Sequence, residues 1–137
     1  MNSFRKAEKV YCGGCGKVFS KQLEKLGLKI CDSECDIAII GERESKHNLS
    51  DVDVVFCPTG SMPQGIKCLF AVSAGMDSKS TLGFSSVGDE TSFLCVNRQI
   101  DFFGKIVIPG EYRVEMKHGA SLYENMVLGF LNMFLQS

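Results

Sequence analysis

The chain alternates short apolar runs with polar or glycine-rich breaks, and the period of its apolar positions changes along its length. "KVYC" (Lys9–Cys12) reads as a short strand. In "GKVFSKQLEKLG" the apolar residues Val18, Phe19, Leu23 and Leu26 recur near helical spacing, and Gly27 suits the C-terminal cap. "LKIC" (Leu28–Cys31) and "DIAIIG" (Asp36–Gly41) are further apolar runs of strand length. "ERESKHNLSD" is a polar connection. "VDVVFC" (Val52–Cys57) has the continuous apolar character of a strand buried on both faces. "PTGSMPQG" after it is turn chemistry, and "CLFAVSAG" (Cys68–Gly75) is another apolar run.

From Ser80 onward the texture shifts to short alternating segments broken by "VGDE", "FFGK" and "IPGE", the pattern of antiparallel hairpins. The end, "SLYENMVLGFLNMFLQS", predicts a helix. Ser121 and Glu124 make a capping-box pair at its start. Tyr123, Met126, Val127, Phe130, Leu131 and Phe134 fall on one face, which reads as a core face, with a homodimer contact as the alternative.

A strand, a short helix and a second strand imply parallel pairing with a right-handed crossover. Only "DSEC" separates "LKIC" from "DIAIIG", too little for a crossover helix, so either these runs pair as a hairpin or one is not a strand. The expected fold is a single α/β domain over residues 1–137. Its first half is a Rossmann-like, three-layer β-α-β arrangement with parallel strands. An antiparallel hairpin or meander and a C-terminal docking helix complete it.

Composition narrows the function classes. The chain has 137 residues, 45% of them hydrophobic and 23% charged, as in an ordinary globular domain. A formal charge of −1 gives no footprint for nucleic acid or an acidic membrane, so neither is expected as a partner. "MNSFRKAEKV" carries no signal-peptide apolar run, and no stretch approaches the ~18 apolar residues of a membrane span. The expected location is the cytoplasm. Thiols stay reduced there, so the seven cysteines are core residues, metal ligands or reactive thiols rather than a disulfide scaffold.

The candidate chemistry begins at "KVYCGGCGKVF" (Lys9–Phe19). A glycine turn between strand and helix lets a phosphate approach backbone N–H groups at the helix N-terminus. Gly14-Cys15-Gly16-Lys17-Val18-Phe19 matches two of the three small positions of G-x-G-x-x-(G/A), with Phe19 in the third, and Asp32 ends the second strand. This resembles dinucleotide-binding proteins, in which the acidic residue holds ribose hydroxyls. The resemblance covers residues 9–32 and implies a nucleotide or phosphate at Gly13, Gly14, Gly16, Lys17 and Asp32.

The same stretch supports thiol chemistry. A strand, Cys-x-x-Cys and a helix resemble the thioredoxin and glutaredoxin layout, in which Cys12 would attack and Cys15 would resolve. "MPQ" (Met62–Gln64) resembles the cis-proline segment of glutaredoxins, whereas the Gly-Gly pair between the cysteines departs from that family. Cys12, Cys15, Cys31 and Cys35 are also spaced close to a zinc ribbon, and "YCGGCGKVF" resembles a zinc knuckle, so zinc or an iron–sulfur cluster is the metal alternative. Cys12 and its loop resemble the phosphocysteine loop of sugar-phosphotransferase IIB domains.

Topology suggests a common location for these residues. Ligands of parallel α/β sheets bind outside the carboxyl ends of the strands. Cys12, Cys15, Cys31, Cys35 and Cys57 all sit at or just past such ends. Cys68 and Cys95, within apolar runs, read as core.

Three further features are weaker. His47 and His118 stand in polar surroundings. "GMDSKSTLGFSS" (Gly75–Ser86) is a hydroxyl-rich loop or hairpin with Lys79 that could take an anion. The stretch from "AVSAG" to the last helix resembles the end of the central domain of Mur-type ligases, but without a G-x-x-x-x-G-K-[ST] loop no ligase activity is implied. The sequence therefore favours a small ligand-binding protein with a phosphate or nucleotide at Gly13–Lys17. A thiol-redox or thiolate-metal protein and a homodimeric interaction module are the alternatives.

Overall fold

The computed structural model describes residues 7–42, 49, 51–62 and 64–135; His47 and Pro63, singled out above, lie outside them, as does most of the polar connection. The chain runs β1 (Lys9–Gly13), α1 (Lys17–Lys25), β2 (Lys29–Ile30), β3 (Ile37–Ile40), β4 (Asp51–Pro58) and β5 (Lys67–Ala74). It continues β6 (Leu82–Ser86), β7 (Thr91–Val96), β8 (Ile100–Phe102), β9 (Lys105–Val107), β10 (Gly110–Glu115) and α2 (Leu122–Phe134). Eight strands make one sheet in the order β10-β7-β6-β5-β4-β3-β1-β2, and β8 and β9 form a separate hairpin. Neighbours from β2 to β6 pair parallel, whereas β6–β7 and β7–β10 pair antiparallel. This is the α/β fold expected, with its parallel first half, hairpins and closing helix.

The short link between "LKIC" and "DIAIIG" is resolved in a way the hairpin expectation missed. Both runs are strands, but they flank β1 on opposite sides: Val10 pairs with Ile30 of β2 and with Ile37 of β3. β2 ends at the level where β3 begins, so the chain needs no return leg and no crossover helix. It passes sideways across β1, and both ends of the crossing bond to successive β1 carbonyls. The Cys31 N–H donates to Val10 O at 2.8 Å and the Asp36 N–H to Lys9 O at 3.0 Å. The return from β4 to β5 also lacks a helix. Its described residues begin with a turn, in which the Ser61 N–H donates to Pro58 O at 2.9 Å.

These helix-free returns change the layering. Side chains alternate across a strand, and Val54 and Phe56 face α1 and α2 together with Val10, Ile37 and Ile39. Val55, Cys57, Ala38 and Ile40 face the other side, against Leu49 and Ile66 of the connections. Among the described residues both helices pack on one face, so the sheet has two layers there rather than the three expected.

α2 is buried continuously from Tyr123 to Leu131, a wider band than the one-sided stripe in its sequence. The stripe residues Tyr123, Met126, Val127, Phe130 and Leu131 all enter the core of this chain. At its far end Phe130 packs edge-on against Phe56 and Phe102, with ring centroids 5.7 and 5.1 Å away. Phe102 comes from the β8–β9 hairpin, which closes the core there. No helix among the described residues is long and apolar enough to cross a membrane.

Two glycines set the geometry of the β1–α1 turn. Gly14 holds φ at +75°, a region that side chains other than glycine rarely adopt. Gly41, just past β3, donates its N–H to Gly13 O at 2.7 Å. A Cβ on Gly41 would lie 2.2 Å from Gly14 O and 2.3 Å from Gly14 C, so the end of β3 touches the turn backbone to backbone. Gly41→Ala is therefore expected to lower unfolding stability by about 3 kcal/mol, at the upper end of what overpacking costs. Urea denaturation checks this, and an unchanged midpoint would show that the contact is not tight.

Candidate functional site

Cys12 lies near the end of β1 and Cys15 in the turn that follows, and both are half-buried. Their side chains meet beside α1. Cys12 Sγ and Ser20 Oγ lie 3.6 Å apart, within sulfur hydrogen-bond range, and Ser20 sits one helical turn beyond the start of α1. Ser20 Oγ also donates to Gly16 O at 3.2 Å, which fixes its rotamer. The Cys15 thiol is directed at Gly13 O, 3.7 Å from its sulfur, and the neighbouring Cys15 side chain is the largest influence holding the Cys12 pKa below the ordinary thiol value. Burial works against this lowering, Ser20 adds to it, and the nearby Glu124 carboxylate opposes it. The net effect is to lower the Cys12 pKa.

The other wall of the site is the first turn of α2, built as the capping box predicts. Ser121 Oγ accepts from the Glu124 N–H at 3.1 Å, and Glu124 Oε1 accepts from the Ser121 N–H at 2.9 Å. The remaining oxygen, Oε2, accepts from the Gly16 N–H at 2.8 Å, joining α2 to the turn that begins α1. The residues on either side of Glu124 are anchored too. The Tyr123 O–H donates to Ile40 O at 2.6 Å, and burial raises its pKa, so it stays a phenol. Asn125 Oδ1 accepts from the Lys117 N–H at 2.7 Å, and Asn125 Nδ2 donates to Ser121 O at 3.1 Å.

Between these walls is a crevice of about 480 Å³ lined by Gly14, Cys15, Gly16, Glu42, Ser121 and Glu124. It lies past the carboxyl ends of β1 and β3. In the strand order β2-β1-β3-β4 this is the point where the direction of winding reverses, the usual ligand position in such sheets. Glu42, the residue after Gly41, is exposed at its rim.

The residues predicted from sequence are only partly gathered here. Gly13, Gly14, Gly16 and Lys17 form the turn, but a carboxylate of the same chain already sits on the Gly16 amide. Asp32 is exposed in the crossing beyond β2 and does not line the crevice. Cys31 and Cys35 pack on the opposite face with Cys57 and Cys68. Cys57 points away from the crevice because its neighbour Phe56 points toward the helices, and burial pushes its thiol up to about 11. The expected convergence of Cys12, Cys15, Cys31, Cys35 and Cys57 does not occur, because the alternation of side chains divides them between two faces. Among the described residues no three His, Cys, Asp or Glu side chains are placed to hold a metal ion.

The hydroxyl run Gly75–Ser86 is used internally. Thr59 and Ser80 hydroxyls bond to each other, the Thr81 N–H donates to Ser73 Oγ at 3.0 Å, and Asn97 Nδ2 donates to Ser80 O at 2.9 Å. Sequence reasoning missed several residues of the site, Glu124 and Gly41 among them. Glu124 was visible as a cap, but its second oxygen reaches a residue 108 positions away. Gly41 had no local signal, because what requires it is another strand's turn. The chain matches no known protein-family model, and no curated protein and no solved structure matches it significantly.

Glu124→Ala removes two hydrogen bonds to a carboxylate, each worth about 1.5–3 kcal/mol when buried, and the crevice rehydrates part of the loss. The expected net destabilisation is about 2–3 kcal/mol, with faster amide exchange at Gly16 and Ser121. Unchanged exchange at Gly16 would mean that the carboxylate does not hold the turn.

Proposed function

We propose that this chain is a dithiol redox protein in which Cys12 is the attacking thiolate and Cys15 the resolving thiol. The observation that carries the reading is the seat of the Cys12 sulfur, 3.6 Å from the Ser20 hydroxyl in the first turn of α1 and next to Cys15, which lowers its pKa. The positive end of a helix lies on the same side. Glu124 on the Gly16 amide, with Glu42 across the crevice, weighs against the phosphate reading. A phosphate there would meet two carboxylates and would have to displace one. The seven free thiols suit a reducing compartment such as the cytoplasm.

The reaction follows from the pair. The Cys12 thiolate attacks one sulfur of a substrate disulfide, forms a mixed disulfide and releases the other sulfur as a thiolate. Cys15 then loses its proton, attacks the Cys12 sulfur and releases the second thiolate. The substrate disulfide has gained two electrons and two protons, and Cys12–Cys15 is left as a disulfide. Turnover requires a thiol reductant to return it to the dithiol.

Alkylation of Cys12, followed by peptide mapping across pH, tests the reading. Thiolate is the reactive form, so the rate rises as pH passes through the Cys12 pKa. The expected midpoint lies below the ordinary ~8.5 and moves up in Cys15→Ala. In that variant the mixed disulfide on Cys12 also accumulates, whereas Cys12→Ser reduces no substrate disulfide. An ordinary midpoint unaffected by Cys15→Ala would remove the proposal.

A further inference from the structure

The opposite face of the sheet carries a second thiol pair that the crevice does not use. The crossing from β2 to β3 begins at Cys31 and reaches Cys35 one residue before Asp36. It curls tightly, with Glu34 at φ +56°, a left-handed conformation uncommon for a residue with a side chain. The curl returns Cys35 onto Cys31: Cys35 Sγ lies 3.6 Å from Cys31 O and 3.5 Å from Ser33 O. Both side chains enter the apolar cluster with Ala38, Ile40 and Val55. Cys31 is half-exposed, whereas Cys35 is only 6% exposed.

From this placement we infer that Cys31 and Cys35 form a second redox site, oxidised by small disulfides to an intraloop disulfide that closes the β2–β3 crossing. The accessible Cys31 thiolate attacks a sulfur of the oxidant, here oxidised glutathione, and one glutathione thiolate leaves. Cys35 gives up its proton and displaces the second glutathione from the Cys31 sulfur. One disulfide is reduced, one is formed, and the two protons end on glutathione.

Burial, and then Cys31 itself, raise the Cys35 thiol to about 11, so the second step is the slow one at neutral pH and quickens as pH rises. The link would sit beside the point that fixes the start of β1. There the Asp36 carboxylate accepts the Glu8 N–H at 2.9 Å and the Lys9 N–H at 3.0 Å. The site is independent of the Cys12–Cys15 pair, which lies on the other face of the sheet.

The test uses the full-length Cys12→Ser/Cys15→Ser variant, and the wild-type chain in parallel in case the variant folds poorly. Each is treated with excess oxidised glutathione at about pH 9, where thiolates are available, and then mapped without reduction. The expected product is a Cys31–Cys35 link with the loss of two hydrogens, preceded by a transient glutathione adduct on Cys31. In Cys35→Ser that adduct is expected to persist. A lasting adduct on Cys31 with Cys35 present, a link from either residue to Cys57, or two thiols that stay free would each overturn the inference. Oxidation of Cys12–Cys15 in the wild-type chain is read on a different peptide, so the two redox readings fail separately.

Discussion

The Glu124 carboxylate divides its two oxygens between Ser121, at the start of its own helix, and Gly16, at the start of the other. It is 8% exposed, and a charge so far from water is tolerated only when its partners replace hydration. Two N–H donors and the positive ends of two helices do so here. The architecture of the site follows from that requirement. The amino end of α2 must lie against the β1–α1 turn, Tyr123 is thereby brought to the Ile40 carbonyl, and Gly41 must be small enough for Gly14 to approach.

The same carboxylate sets a balance in the chemistry. The Cys15 and Ser20 side chains lower the Cys12 pKa, while burial and the Glu124 carboxylate raise it. Structure and reactivity therefore pull in different directions at one residue. Without the carboxylate, two helix starts would lose a buried acceptor.

Local features were legible in the sequence and long-range ones were not. The capping box at Ser121, the hairpin at Phe103–Gly104, where both residues hold positive φ, and the strands around "VDVVFC" depend on neighbours within a few positions. The turn at Cys12–Lys17 was located correctly for the same reason. The layering was not, because parallel strands usually return through helices. Here the short β2, and the β4–β5 link with no helix among its described residues, remove that need. The cysteines misled for a related reason. Their positions at strand ends were read correctly, but which face each thiol takes depends on parity within its strand, and Cys12 and Cys57 differ in it.

The central claim is that the Glu124 carboxylate, which holds the β1–α1 turn, also raises the pKa of the Cys12 thiol on that turn. A pH titration of the Cys12 thiolate in the wild-type chain and in Glu124→Gln tests it most directly. Amide nitrogen replaces one carboxylate oxygen and the charge disappears while the side-chain shape is kept. The account predicts a lower Cys12 pKa in the variant, because an opposing charge has been removed. An unchanged or higher pKa would contradict it.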